Sequence, residues 1–233
     1  MNPVVILPTY NERENLPVLV PEILAAIPAH VLIVDDHSPD GTGDLAEGLA
    51  RTRPDVSVIH RPEKLGLGSA YVRGFRWALE RDFDVIVQMD ADRSHSPGDI
   101  PRLVRALSDC EVAIGSRYAA GGGIRDWPFS RRLISSAGNL YARSVLSLGV
   151  RDLTGGFKAF RREAAQALPW AAILSDGYAF QIETTFRALR QGFRVREIPI
   201  IFSDRTCGQS KISRRVVWEA FRLVWKLKSS ARY

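Results

Sequence analysis

Short apolar runs rich in β-branched residues recur along the first half of the chain, at residues 4–7, 31–34, 56–59, 85–89 and 112–115. Segments with the apolar spacing of amphipathic helices separate them, at residues 14–27, 43–51, 69–81 and 99–107. Such alternation is typical of βαβ units. The pattern therefore predicts an α/β fold, Rossmann-like through about residue 115, with a mainly parallel central sheet and helices on both faces.

The second half is less regular, and we expect two flexible loops in it. Residues 119–128 are rich in glycine, and residues 202–211 combine turn residues with positive charge. Between and after these loops, the spacing predicts helices at 131–148 and 178–191 and strands at 157–160 and 193–200. No internal repeat is present, so a single domain over residues 1–212 is expected.

Residues 213–233 are predicted to form a C-terminal basic amphipathic helix, which is either part of the same unit or faces a membrane. Packing of its apolar face on the core is the ordinary fate of such a helix. Trp218 and Trp225, however, stand among Lys and Arg, a combination that suits the headgroup region of a bilayer. Both interpretations remain open from the sequence.

Composition and the distribution of charge narrow the classes of function that this protein could have. The 233 residues, 45% hydrophobic, suffice for one large core. Acidic and basic residues balance over residues 1–202, so the net charge of +6 arises from residues 203–233. This distribution disfavours a nucleic-acid-binding protein, in which basic residues usually cover a face of the fold.

Cellular location is suggested by what the sequence lacks. Two cysteines, Cys110 and Cys207, form no CxxC pair, so neither a zinc site nor a disulfide framework is indicated and a reducing cytosol is expected. We expect no signal peptide, because the first apolar run begins at Val4, and no stretch of 18 apolar residues is found. Any membrane contact would then be peripheral or mediated by a partner.

Polar clusters follow four of the predicted strands, at residues 8–16, 35–42, 61–70 and 90–95. In parallel α/β sheets, ligands bind outside the carboxyl ends of the strands. Four consecutive polar strand ends therefore predict one shared crevice.

Asp90 and Asp92 are the candidate metal ligands within this crevice. Two residues apart in an extended chain, their side chains would point to the same side, and an all-oxygen site suits Mg²⁺ or Mn²⁺. The alternative is that they cap a helix beginning near Pro97. We expect Arg93 to face away from the metal and His95 to support the site by hydrogen bonding.

Seven motifs in sequence resemble those of family 2 glycosyltransferases of the GT-A fold, and within them the polyprenol-phosphate (dolichol-phosphate) mannose synthases. The motifs, which span residues 3–212, are PTYNERENL, DDHSPDGT, GLGSAYVRG, MDADRSHSP, GSRY, DLTGGFKAF and GQSK. The GLGSAY stretch alone invites a dinucleotide-binding interpretation, which we discount because it lacks the third glycine and follows the third strand. The resemblance implies a metal-dependent transfer of mannose, with inversion, from GDP-mannose to a polyprenyl monophosphate.

The resemblance also assigns roles to individual residues. The nucleotide sugar would be held by Pro8, Tyr10, Glu12, Asp36, Asp90, Arg205 and Lys211. The cation, Mg²⁺ or Mn²⁺, would be held by Asp90, Asp92 and Ser94. The acceptor phosphate would be held by Arg117, Arg131 and Ser135, with Arg131 chosen over Arg132 by motif alignment alone. The catalytic residues would be Asp92, Arg117 and Arg131.

Such an acceptor explains why no catalytic base stands out in the sequence. A phosphomonoester, with a second pKa of about 6, is already mostly dianionic near neutral pH. The site must instead bring an anionic nucleophile to an anionic donor, a task for a metal ion and arginines.

Two other functions remain open. One is a related transferase that uses another donor or acceptor, such as UDP-glucose with polyprenyl phosphate, or a soluble glycan. The other is a catalytically silent subunit that binds a nucleotide sugar. The expected partners are GDP-mannose, a polyprenyl monophosphate, and a membrane surface touched by the basic C-terminal region, with a membrane-anchoring protein as a further option. We expect the protein to act at the cytoplasmic face of the membrane.

Overall fold

The computed structural model of the chain describes residues 1–173, 175, 177–204 and 214–230, with side chains from 221 to 229 in the last range. The strands are β1 (Pro3–Thr9), β2 (His30–Asp35), β3 (Val56–His60), β4 (Val85–Gln88), β5 (Val112–Ser116), β6 (Gly123–Ile124), β7 (Lys158–Arg161), β8 (Val195–Pro199) and β9 (Ile201–Phe202). The α-helices are α1 (Leu16–Ala26), α2 (Thr42–Thr52), α3 (Leu67–Leu79), α4 (Ile100–Ala106), α5 (Phe129–Leu146), α6 (Arg162–Ala167), α7 (Gly177–Arg190) and α8 (Arg214–Ser230).

Seven strands form the central sheet, in the order β3-β2-β1-β4-β7-β5-β8. All neighbouring pairs are parallel except those of β7, which runs antiparallel to both β4 and β5. The predicted mainly parallel sheet with helices is confirmed. The direction of β7 was not predicted, because its residue pattern does not depend on strand orientation.

Both faces of the sheet are buried, which explains the continuous apolar runs. On β1, Val4 and Ile6 point into a core closed by α3, α5, α6, α7 and α8, whereas Val5 and Leu7 point into a second core closed by α1, α2 and α4. Helix α3 lies close to β1 at Gly74, where a Cβ atom would stand 2.6 Å from Ile6 Cγ2. Only glycine fits at that contact.

The first predicted loop is more ordered than expected, so that prediction was wrong in part. Strand β6 pairs in parallel with β9, and Trp127 is buried. The glycines hid this pairing, because a two-residue strand leaves almost no periodic signal. The second predicted loop is described through Asp204, and Arg205, Cys207 and Lys211 lie outside the described residues.

Helix α8 covers most of the predicted C-terminal helix. Val224 and Leu227 are buried in the core, whereas Phe221 and Trp225 are exposed. The described part of α8 therefore packs on the domain and still presents two large apolar side chains outward. Within the described part of the chain, no helix has both the length and the apolar character needed to cross a membrane.

Candidate active site

A cavity of about 290 Å³ opens at the carboxyl edge of the sheet, beside the end of β4. Its walls combine carboxylates, arginines, aromatic rings and small residues. The lining residues are Leu67, Asp90, Asp92, Arg117, Trp127, Arg131, Thr154, Gly155, Gly156, Gly177, Tyr178, Gln181 and Phe202. Four of the residues predicted from the sequence, Asp90, Asp92, Arg117 and Arg131, therefore meet at one cavity.

The loops after β1 and β2 are joined to each other by hydrogen bonds. Asp35 Oδ1 accepts bonds from the hydroxyls of Thr9, at 2.9 Å, and Ser38, at 2.6 Å. The backbone N–H of Glu12 donates to Thr42 Oγ1 at 2.9 Å. These bonds hold two of the predicted polar strand ends together.

The predicted nucleotide-binding residues Pro8, Tyr10 and Glu12 lie in or beside these loops and do not line the cavity described above. Pro8 is buried in β1, opposite Val34 of β2. The ring of Tyr10 lies 3.7 Å from Lys64 Nζ, a cation–π contact.

Asp36, the fourth predicted nucleotide ligand, is buried and holds the start of the GLGSAY segment. Its Oδ2 accepts backbone N–H bonds from Leu65, at 3.2 Å, and Gly66, at 3.0 Å, and its Oδ1 lies 2.8 Å from Arg61 Nη1. Burial raises the pKa of Asp36, although Arg61 and the two N–H groups oppose the shift.

Asp90 and Asp92 reach the cavity through a turn after β4, not through alternation along a strand as the sequence analysis assumed. Asp90 Oδ1 accepts a 3.0 Å bond from the Tyr71 hydroxyl of α3. Asp92 Oδ1 accepts bonds from Ser94, at 3.1 Å from its N–H and 2.6 Å from its hydroxyl. Ser94, a predicted metal ligand, is thus bonded to the side chain of Asp92.

Arg93 has a left-handed backbone, with φ of 61°, and its Nη2 lies 3.4 Å from Glu22 Oε1 on α1. The turn therefore directs the guanidinium toward α1, and Arg93 is not among the residues that line the cavity. That Arg93 faces away from a bound metal stays a prediction.

His95 is buried between the rings of Phe157 and Phe202, whose centroids lie 5.0 and 5.2 Å from its own. Burial lowers its pKa despite the charges of Asp90 and Asp92, which favours the neutral ring. Its Nδ1 has no hydrogen-bond partner among the described residues. Within the described residues, Nδ1 therefore does not supply the hydrogen-bonding support expected of His95.

Arg117 is buried and bonded on two sides. Its Nε and Nη2 donate to the two carboxylate oxygens of Asp152 at 2.8 and 2.7 Å, and Nη2 also donates to Thr154 Oγ1 at 2.7 Å. Burial alone would lower the pKa of Arg117, but the charge and hydrogen bonds of Asp152, with smaller contributions from Tyr118 and Tyr178, together raise the pKa above its ordinary value. This is a strong bidentate pair.

Arg131 is held more loosely. Its Nη1 lies 2.8 Å from Asp204 Oδ1 and its guanidinium carbon lies 4.0 Å above the ring of Trp127. Arg132 is exposed and does not line the cavity, which favours Arg131 over its neighbour. Ser135 accepts a 2.8 Å bond from the Tyr118 hydroxyl and also lies outside the lining.

Sequence reasoning missed several residues of the site. Trp127 and Phe202 are separated by 75 positions and carry no motif. The DLTGGFKAF stretch was quoted for the resemblance, yet no role was given to its Asp152, Gly156 or Lys158. The available signal was an aspartate at the start of the largely apolar stretch DLTGGFKAF, because a carboxylate that becomes buried there requires a cationic partner.

Lys158 on β7 is fully buried beneath the site. Its Nζ donates to the main-chain carbonyl of Gln181 at 2.7 Å and lies 3.3 Å from Thr184 Oγ1, both on α7. Burial lowers its pKa to about 7, against the opposing charges of Asp152 and Asp90. The contacts of the Lys158 side chain therefore connect α7 to the central sheet.

We name two groups of the residues that line the cavity by their chemistry. The carboxylate wall is Asp90 and Asp92. The arginine wall is Arg117, Trp127, Arg131 and Phe202. A cavity lined by both carboxylates and guanidinium groups can hold a cation and an anion next to each other.

Two known proteins are similar in sequence to this chain over most of its length. A polyprenol monophosphomannose synthase of Mycolicibacterium smegmatis is 49% identical over 93% of this chain and 83% of its own. An undecaprenyl-phosphate mannosyltransferase of Micrococcus luteus is 47% identical over 100% of this chain and 96% of its own.

The fold is similar to that of solved glycosyltransferase structures. The crystal structure of glucosyl-3-phosphoglycerate synthase from Mycobacterium tuberculosis with Mn²⁺, UDP-glucose and phosphoglyceric acid superimposes with a TM-score of 0.69, at 17% identity, over 98% of this chain and 80% of that one. The family model "Glycosyl transferase family 2" matches residues 4–168. The chain therefore belongs to glycosyltransferase family 2 and is a glycosyltransferase with a GT-A-like fold.

Proposed function

We propose that this enzyme transfers mannose, with inversion, from GDP-mannose to a polyprenyl monophosphate, giving polyprenyl-phosphate-mannose and GDP. The observation that carries the proposal is the convergence of the carboxylate wall and the arginine wall on one cavity. The two relatives, each nearly half identical to this chain, are named for transfer of mannose to this class of lipid. Their names support mannose over the alternative, glucose from UDP-glucose.

The carboxylate wall has the chemistry of a Mg²⁺ or Mn²⁺ site shared with a diphosphate. Its oxygen donors suit hard cations, and Mg²⁺ is usually bound by one or two carboxylates together with substrate phosphates. The main chain at Gly156 leaves room for Asp90, since a Cβ there would lie 3.0 Å from Asp90 Oδ2. No group of three or more His, Cys, Asp or Glu able to hold a metal occurs among the described residues, which favours a site that the diphosphate completes.

In this proposal Asp90 and Asp92 hold the cation, with Ser94 fixing Asp92 through its two hydrogen bonds. The cation, when bound, would neutralise charge on the leaving diphosphate. Pro8, Tyr10, Glu12 and Asp36 would hold the nucleotide at the neighbouring strand ends. Arg205 and Lys211, outside the described residues, keep their proposed contact with the donor.

The arginine wall would bind the acceptor phosphate. Arg131 can exchange its contact with Asp204 for a phosphate, because both side chains are partly accessible. Arg117 would add positive charge while staying bonded to Asp152, and Ser135 is the further proposed contact. Among the described residues that line the cavity, the carboxylates are those of the carboxylate wall. A phosphate nucleophile needs no separate base, which fits this set of residues.

The donor assay tests the function directly. The protein is incubated with labelled GDP-mannose, a short-chain polyprenyl phosphate and Mn²⁺ or Mg²⁺, and the label that enters the organic phase is counted. We expect transfer that a chelator abolishes. Transfer from UDP-glucose alone would establish the alternative donor, and nucleotide-sugar binding without turnover would indicate a silent subunit.

We further propose that the protein meets its lipid acceptor by peripheral contact with an anionic membrane surface, at the cytoplasmic face. Large apolar side chains are exposed on α5 and α8, with Phe129 80% and Trp225 50% exposed. We call them the apolar surface; its residues are Phe129, Leu133, Ile134, Leu140, Phe221 and Trp225. Arginines and lysines of the same two helices, such as Arg132 and Lys226, can contact anionic headgroups.

Co-sedimentation with anionic-lipid vesicles tests this contact. The triple variant Phe129→Ser/Leu133→Ser/Ile134→Ser and the double variant Trp218→Ala/Trp225→Ala should each reduce the bound fraction. Val18→Ser, which changes an exposed apolar residue on α1, is the matched control. Unchanged binding of both multiple variants would contradict the proposal, and binding only in the presence of a membrane extract would indicate an anchoring partner protein.

A further inference from the structure

The GLGSAY segment, residues 66–71, has no part in the function proposed so far, yet it contacts two carboxylates of the site. The backbone N–H of Gly66 donates to Asp36, and the Tyr71 hydroxyl donates to Asp90 Oδ1 at 3.0 Å. We propose that Tyr71 is a positioning residue that fixes the Asp90 carboxylate for the divalent cation. This inference rests on the proposed metal dependence and deepens it.

The position of the Tyr71 hydroxyl is fixed by packing. The side chain is fully buried, and its ring stacks on Phe180 of α7 with centroids 5.8 Å apart and planes 8° from parallel. One turn further along α3, Gly74 brings the helix against Ile6 of β1. Because ring and helix are both held, the hydroxyl has little freedom to leave Asp90.

Gly156 also lies close to the same carboxylate. A Cβ atom there would lie 3.0 Å from Asp90 Oδ2 and 3.1 Å from Oδ1. The carboxylate therefore has a phenol hydroxyl at hydrogen-bond distance and a glycine main chain so close that a side chain there would crowd it. Groups that orient a metal ligand in this way are typically worth about 10–100-fold in metal affinity.

A tyrosine is chemically suited to this position. Arg117 shows the alternative, since its guanidinium neutralises the charge of the Asp152 carboxylate that it orients. The phenol hydroxyl is an uncharged donor, so Tyr71 orients Asp90 without cancelling the negative charge that attracts a cation. Tyr71 and Arg117 are thus different kinds of donor, a neutral hydroxyl at Asp90 and a charged guanidinium at Asp152.

The test measures Mn²⁺ binding by the full chain with saturating GDP, with free Mn²⁺ followed by electron paramagnetic resonance. Tyr71→Phe removes the hydroxyl and keeps the ring on Phe180, so the Mn²⁺ dissociation constant should rise roughly 10–100-fold. Tyr141→Phe is the control, since that ring stacks on Phe221 at 4.9 Å, between α5 and α8. It should leave the constant unchanged, and the metal-free melting temperature of Tyr71→Phe should stay within a few degrees of wild type.

Unchanged Mn²⁺ affinity in Tyr71→Phe, with affinity lost in Asp92→Asn, would overturn this inference and leave the proposed metal site intact. A wild-type protein that binds no Mn²⁺ in the presence of GDP would overturn the metal proposal and this inference together. Loss of affinity that parallels a large fall in the metal-free melting temperature would assign the effect to folding and also overturn the positioning role.

Discussion

The carboxylate wall and the arginine wall differ in how their charges are held. Asp90 and Asp92 belong to one turn after β4; Asp90 accepts a bond from the Tyr71 hydroxyl, and Asp92 accepts bonds from the hydroxyl and the N–H of Ser94. The arginines come from the end of β5 and from α5, and each already contacts a carboxylate, Asp152 or Asp204. Neutral donors thus contact the first wall, whereas carboxylate counter-ions contact the second.

Within the arginine wall, the two cations are not equivalent. Arg117 and Asp152 are both buried, whereas Arg131 and Asp204 are partly exposed. A buried pair is costly to break, while an exposed pair exchanges readily with another anion. We therefore expect Arg117 to act mainly as a fixed structural charge and Arg131 as the exchangeable contact for a phosphate.

The largest expected effect comes from the carboxylate wall. Asp92→Asn should lower transfer activity about 10³-fold, because a catalytic metal contributes several kcal/mol and about 1.4 kcal/mol is a factor of ten. The measurement is the donor assay at saturating metal. Asp109→Asn, at a surface carboxylate paired with Arg196, is the control. Near-normal activity of Asp92→Asn would end the metal proposal.

The next effect separates the two arginines by stability. Arg117→Met leaves Asp152 buried without its partner and should lower the free energy of unfolding by about 3–5 kcal/mol. Arg131→Met should lower it by about 1 kcal/mol or less. Urea denaturation of both variants measures the difference, and equal losses would refute the proposed division between a structural and an exchangeable cation.

For binding of the acceptor phosphate we expect Arg131 to contribute more than Arg117, although Arg117 contributes more to stability. Arg131→Lys keeps the charge but loses the planar fork and the stacking on Trp127, so kcat/KM for the polyprenyl phosphate should fall about 10-fold to 100-fold. The matched control is Arg132→Lys, at the exposed neighbour. If both variants had the same kcat/KM as wild type, neither arginine would contact the phosphate.

The smallest effect concerns Lys158, which lies beneath both walls. Its pKa is lowered to about 7, so above that pH the unfolded chain carries a proton that the folded protein lacks. Below about pH 7 the folded protein carries the full free-energy cost of burying the charged Lys158 ammonium group. This cost falls as the pH rises toward 10.5, the ordinary pKa of lysine. The stability of wild type relative to Lys158→Met should therefore increase by up to about 1.4 kcal/mol per pH unit from pH 7 to 9.

Denaturant unfolding without added metal, at several pH values, measures this difference. Because other titrating groups are present in both proteins, their contributions cancel. A difference that is constant with pH would mean that Lys158 keeps its proton in the folded protein.

The difference between the two walls also explains which of their residues could be predicted from the sequence. The parallel strands and the carboxylate wall were accessible, because buried apolar runs that end in polar clusters carry a local signal. Arg117 and Arg131 were identified by resemblance to a family, and their counter-ions were not identified at all. The pairing of Arg131 with Asp204 joins positions 73 residues apart, and no local pattern records such a contact.

Local geometry escaped prediction for a related reason. The turn at residues 90–93 was interpreted as extended chain, since the left-handed backbone of Arg93 has no marker such as glycine. Strand β6 was interpreted as part of a loop because its pairing with β9 depends on a segment about 80 residues later. Tertiary contacts determine both features.

The antiparallel strand β7 has a consequence for the order of folding. The fully buried strand β4 pairs with β1 on one side and with β7 on the other, and β7 follows it by about 70 residues. During synthesis, one edge of β4 stays unpaired until that strand emerges, and an exposed apolar edge promotes aggregation. Gly156, which lies close to Asp90, stands two residues before β7, so the step that closes the sheet also brings Gly156 to the carboxylate wall. A nascent chain halted before residue 158 should therefore both aggregate and fail to bind metal.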